Sequence, residues 1–209
     1  MNTQAAEDLA YVRSVAESGE AAPSLSGRFS LWWSSLLIVT LLIHWMLASE
    51  FIPGLTLQYV GIAWAAFGII GFSGSRFLTR NMENYPGASA AINKVDRHTW
   101  RAAGLAIAGY AIAVIVTASV RSDVAFLLCD TIMPAAFLGY AIAYSGSAAF
   151  SESKSRWLPV ILSIALSACT ILLFGMPALY LVAALGVFVI LTLPAIQMLR
   201  REPKPVAES

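Results

Sequence analysis

The chain has 209 residues, of which 58% are hydrophobic and 12% charged, with a mean hydropathy of +0.73 and a formal net charge of +1. A water-soluble domain carries about 25% charged residues, so the composition excludes an aqueous globular domain and makes the bilayer the solvent. The balanced charge, with basic residues in short runs beside apolar segments, speaks against a nucleic-acid partner, and Cys129 and Cys169, both inside apolar runs, against a secreted disulfide framework.

Residues 4–18 read as a short cytoplasmic helix, with Thr3 as a candidate N-cap, Glu7 and Asp8 in the first turns and Gly19 at the end. Leu9, Val12 and Ala16 form an apolar stripe widened by Tyr11 and Val15, while Asp8, Arg13 and Glu17 fall elsewhere. An isolated helix of this length is marginal in water, so it is expected to lean on the membrane surface, on the bundle or on a partner protein. Ala21 to Gly27 forms a linker, which makes residues 1–29 an N-terminal unit. No removable signal peptide is expected, and the first span serves as a signal anchor.

Six apolar runs follow, at about 30–49, 55–74, 101–119, 124–145, 157–174 and 177–198, each near the roughly 20 residues a spanning helix needs. The expected fold is all-α, a bundle of six transmembrane helices over residues 30–199 with a tail at 200–209. The fifth and sixth runs are joined tightly enough, over Phe174 to Pro177, to form a helical hairpin.

The connections alternate in charge. Arg13, Arg28, Arg76, Arg80, Lys94, Arg97, Arg101, Lys154, Arg156, Arg200, Arg201 and Lys204 fall on one side and only Arg121 on the other. The positive-inside rule then puts both termini and the long loop after the second span in the cytoplasm of a bacterial inner membrane. Within that loop Pro86-Gly87 marks a turn, and Ile92, Val95 and Thr99 recur at helical spacing, so the third helix is expected to start before the membrane with Lys94, Asp96 and Arg97 at the interface. Arg76, Arg80, Lys94, Arg97 and Arg101, with His98, are candidate contacts for anionic lipid headgroups. No glycine-rich phosphate cradle accompanies them.

Small residues three or four apart, Gly61, Ala65 and Gly68, then Gly104 and Ala108, then Ala135, Gly139 and Ala143, permit close helix approach within one chain or between copies in a homo-oligomer. The pentapeptide Gly-Tyr-Ala-Ile-Ala at 109–113 and 139–143 is no evidence of a repeat at this low residue diversity. Trp32, Trp33, Trp45, Trp100 and Trp157 lie at span ends as interface anchors, and Trp64 lies mid-span.

Asp130 is the one acid well inside an apolar run. Counted from the outer end near Val124 it sits about 9 Å deep, where an ionised Asp costs about 2 to 3 kcal/mol unless it is protonated, paired or wetted. His44, counted back from Ser49, lies roughly 8 Å deep. Asp130, His44, Thr131 and Thr117 therefore form the candidate intramembrane polar site, with Cys129, Cys169, Thr170 and Tyr180 at similar depth. Interhelical polar glue, a protonatable cavity and a soft metal site are the alternatives, and no recognised ligand spacing supports the metal.

Enzyme chemistry finds no constellation. Gly146-Ser147 lies at the inner end of the fourth span, far from His44, and no H-E-x-x-H, paired-carboxylate or phosphate-loop motif is present. No cofactor is implied. The expected function is a non-enzymatic inner-membrane accessory or regulatory protein that engages a cytoplasmic or membrane partner through residues 4–18 and the 76–101 loop. The alternative is a small-molecule or proton-coupled transporter built around Asp130 and His44.

Overall fold

The computed structural model describes residues 26–80, 90–121, 125–149 and 157–200. The expected helix at 4–18, the turn at Pro86-Gly87 and the tail after Arg200 lie outside them. Among the described residues all regular structure is helical: α1 (Gly27–Ala48), a 3-10 turn (Leu57–Tyr59), α2 (Val60–Thr79), α3 (Ala91–Val120), α4 (Ala125–Asp130), α5 (Ile132–Ala148), α6 (Leu158–Ile171), α7 (Ala178–Val187), a π-helical segment (Phe188–Thr192) and α8 (Leu193–Arg200).

Five stretches are long and apolar enough to cross a membrane: α1, the 3-10 turn with α2, α3, α4 with α5, and α7 through α8. The chain is thus a helical, multi-pass membrane protein. The run at 157–174 is helical for only 14 residues, about 21 Å against a hydrocarbon core of about 30 Å. Pro159 sits in its first turn, and Gly175, at φ +76°, ends the turn beyond it.

Local chemistry moves the other boundaries. Helix α1 ends where Phe51 N–H reaches the Met46 carbonyl and Glu50 N–H the Leu47 carbonyl, a Schellman pattern that puts Glu50 at φ 52°. Left-handed Gly54 and extended Thr56 then delay the second helix to Val60, five residues past the start of its apolar run, and it continues to Thr79. Helix α3 begins at Ala91, ten residues before its apolar run. The fourth run is broken at Thr131. Pro134 has no N–H to offer the Asp130 carbonyl four residues back, and Thr131 N–H turns to Leu128 O instead. Pro194 does the same to Ile190 in the last run, where the ladder loosens into the π segment, and the Tyr144 hydroxyl donates to the Ile190 carbonyl at 2.5 Å.

Cross-helix contacts fix the directions. Gly27 meets Met198, Ser34 meets Thr192 and His44 meets Tyr180, so α1 runs antiparallel to α7 and α8. Trp32 against Gly74, Trp33 against Gly71 and Trp64 against His44 make α2 antiparallel to α1. Thr99 against Gly146, Ile107 against Gly139 and Tyr110 against Thr131 do the same for α3 and α5. Asp130, Phe137 and Tyr144 reach Tyr180, Gly186 and Ile190 in that order, so α4 and α5 run parallel to α7 and its continuation. Leu37, Leu41, Phe137, Leu179, Val187 and Ile190 fill the core between α1, α5 and α7.

Glycines carry one of these contacts by close approach. A Cβ on Gly71 would stand 2.4 Å from the Trp33 ring, and one on Gly74 2.3 Å from Trp32. Gly139 likewise meets Ile107, but Gly61, Gly68 and Gly104 have nothing within 4 Å. Within the chain, close approach along the small-residue stripes is thus seen at Gly139, while the stripes of α2 and α3 face outward. Two of the tryptophans also pack within the bundle: Trp33 lies edge-on to Phe67 and Phe72, and Trp100 edge-on to Tyr144.

Candidate functional site

Asp130 closes α4 at the break that Pro134 and Thr131 create, and its side chain turns into the bundle, 5% exposed. Its Oδ2 accepts the Gly175 N–H at 2.8 Å and its Oδ1 accepts the Tyr180 hydroxyl at 2.5 Å. Gly175 can present that N–H because the α6–α7 turn passes through a left-handed position that a side chain would disfavour. Tyr180, in the first turn of α7, stacks its ring on His44 with centroids 3.5 Å apart and planes at 26°. The indole N–H of Trp64 donates to His44 Nδ1 at 3.2 Å. Acceptance at Nδ1 puts the proton of a neutral imidazole on Nε2.

One acid is therefore held by α7 and the α6–α7 turn, and Tyr180 links it to His44 of α1 and, through His44, to Trp64 of α2. Both of its hydrogen-bond donors are neutral. A buried carboxylate held by N–H and O–H dipoles can take up or release a proton without breaking an ion pair, and the Tyr180 hydroxyl, both donor and acceptor, can pass that proton on. His44 touches Tyr180 by stacking, and Trp64 fixes the imidazole's rotation.

The structure brings Asp130 and His44 into one cluster through Tyr180 instead of by direct contact. Thr131 departs from it: its hydroxyl donates to Leu128 O and accepts from Tyr110 at 2.8 Å, on the side facing α3. Thr117 is excluded, since its exposed hydroxyl donates to Ala113 O of its own helix at 2.8 Å. Depth along a helix is shared by all of these groups, but azimuth is not. Tyr180 and Trp64 complete the site, and the depth rule that singled out Asp130 also reached Tyr180. Among the described residues no three His, Cys, Asp or Glu side chains gather as a metal site.

The basic candidates Arg76, Arg80, Lys94, Arg97 and Arg101 are all exposed. Arg76 and Arg80, with Ser73, Phe77 and Thr79, line an open depression of about 500 Å³ on the end of α2. Lys94, Arg97 and Arg101 lie on the first turns of α3, and residues 81–89, which join the two groups, lie outside the described residues.

The chain matches no family model, no curated protein and no solved structure. The class that fold and site define is a multi-pass helical membrane protein with an ionisable side chain in its packed interior.

Proposed function

We propose that the protein is a proton-coupled transporter of a small solute, with Asp130 as its protonatable centre, Tyr180 as proton relay, and His44 and Trp64 holding Tyr180 in place. The observation that carries this reading is a carboxylate sealed in an apolar bundle with two neutral donors, Gly175 N–H and the Tyr180 hydroxyl. Ionisable groups at such depth are costly and mark proton or substrate paths. In the proposed topology the chain crosses a bacterial inner membrane six times with both ends in the cytoplasm. The distribution of cations supports it, as does the contact of Gly27 with Met198 at one end of the bundle.

Purified protein in vesicles containing a trapped pH-sensitive dye, energised by a potassium diffusion potential, should acidify or alkalinise the lumen. Asp130→Asn, which keeps size and polarity, should abolish that flux while the protein stays monodisperse in detergent. Full flux in Asp130→Asn, with only lower stability in Asp130→Ala, would make the residue structural glue.

A second reading, an accessory protein recruited through residues 4–18, is favoured by the apolar stripe of Leu9, Val12 and Ala16. Deletion of residues 2–22 should then abolish recovery of a specific partner without impairing insertion.

A further inference from the structure

One end of the bundle carries surface charge of a single sign. Gly27 against Met198, Trp32 against Gly74 and Thr99 against Gly146 bring the end of α8, the last turns of α2 and the first turns of α3 to that end. Arg76, Arg80, Lys94, Arg101 and Arg200 are exposed there. The expectation that Asp96 lies at the interface beside Lys94 and Arg97 is corrected by its burial, at 6% exposed. Among the described residues this end therefore shows cations and no exposed acid.

The two cations of α2 are held in a fixed direction. Trp64 on His44, Phe67 on Trp33, and Gly71 and Gly74 under Trp33 and Trp32 fasten one face of α2 to α1. At about 100° per residue Arg76 and Arg80 fall on the opposite face, in line with Ile69 and Ile62, two and four turns before Arg76. Ile62, Ile69 and Phe77 are all exposed, so this face meets lipid. Depth agrees with that placement. Helical rise puts Arg76 about 30 Å from Leu57, the thickness of the hydrocarbon core, and Arg80 about 6 Å further, among headgroups. Ser73, Arg76, Phe77, Thr79 and Arg80 line the open depression of about 500 Å³ at this point. The Thr79 hydroxyl donates to the Ser75 and Arg76 carbonyls, each at 3.0 Å. The two guanidinium groups and the Ser73 hydroxyl are left as the donors of the depression.

We propose that this depression is a binding site for an anionic phospholipid, with the phosphodiester between Arg76 and Arg80, Ser73 donating to it, and the acyl chains along Ile69 and Ile62. Guanidinium groups one turn apart on one face can each present two N–H donors to phosphate oxygens. The lining holds two cations and, among the described residues, no acid. A headgroup of net negative charge is thus favoured over a zwitterionic one, whose ammonium would meet arginine as a like charge. A water-soluble phosphate ester offers the same anion but nothing to cover the apolar face below the arginines, and that decides for a lipid. The site stands apart from the proton-coupled reading, because it needs only the membrane-spanning fold and Asp130 lies toward the other end of the bundle.

The experiment is lipid titration of the full-length protein in mild detergent, read as adducts by native mass spectrometry, with phosphatidylglycerol and phosphatidylcholine of identical acyl chains. Phosphatidylglycerol should bind at least about tenfold more tightly, and Arg76→Gln with Arg80→Gln should remove that margin. Arg200→Gln with Arg201→Gln removes the same charge beside the end of α8 and should keep it. Arg76→Gln and Arg80→Gln alone should each lose part of the margin, which preserves the measurement if the double variant fails to fold. Equal binding of the two lipids overturns the site. Equal losses from the two double variants mean diffuse surface charge and overturn it as well. Displacement of bound phosphatidylglycerol by glycerol phosphate or inorganic phosphate at matching concentration assigns the depression to a free phosphate and overturns the lipid as occupant.

Discussion

Helices α2 and α3, like α7 with α8, are long and apolar enough to cross a membrane, yet they are built for opposite surroundings. The α2 segment has 6% of its apolar window buried and α3 has 11%, against 56% for the segment through α7 and α8. On α2, Ile62, Ile69, Phe72 and Phe77 point outward, as do Leu105, Ile112 and Val120 on α3. The seam between α1 and the last helix buries Ser34, Thr40, His44 and Thr192 instead. Lipid is as good a solvent for Ile as a protein core is, so apolar side chains have no reason to turn inward. The interior is selected by polar pairs and close fit.

That contrast can be broken hardest at Asp130. Asp130→Ala strands the Tyr180 hydroxyl and the Gly175 N–H together, and should lower unfolding free energy in mixed micelles by about 2–4 kcal/mol. A loss below about 0.5 kcal/mol would place the carboxylate outside the fold's stabilising contacts. Next in size is a matched pair on α2. Gly71→Ala drives a methyl into a Trp33 ring already hemmed in by Phe67 and Phe72, and should cost about 1–3 kcal/mol. Gly61→Ala, where nothing lies within 4 Å, should be neutral or stabilise by up to about 1 kcal/mol. Equal effects at both positions would erase the distinction between the inner and outer faces of α2. The smallest change lies outside both regions: Glu50→Gly relieves a left-handed non-glycine residue at φ 52°, and should raise thermal stability by about 0.5–1 kcal/mol.

Much of this architecture was legible in the chain, because a bilayer imposes length and apolarity on every crossing segment. Five of the six runs, the tight turn at Phe174 to Pro177 and the early start of the third helix each follow from local residues. Boundaries moved where turn chemistry intervened, as at Gly54 and Thr56. The site was half legible. Rise per residue gives depth, which matches His44 to Asp130, but it gives neither azimuth nor neighbours, so Thr117 shares their depth although its hydroxyl turns back to its own helix. The same lack concealed Trp64 as the partner of His44 and Asp96 as a buried residue. Pro134 and Pro194 mark where backbone carbonyls lose their donors, but only the packed helices show that Tyr144 supplies the replacement at Ile190.

In the proposed six-span topology the short reach of α6 also acts on the lipid around it. A 14-residue helix falls about 9 Å short of the hydrocarbon thickness, and such mismatch is relieved by thinning the bilayer locally. The dip forms beside the α6–α7 turn, whose Gly175 N–H holds Asp130. On the proposed proton-coupled reading, headgroups and water drawn down there shorten the dry distance to the carboxylate, and the membrane itself becomes part of the entrance.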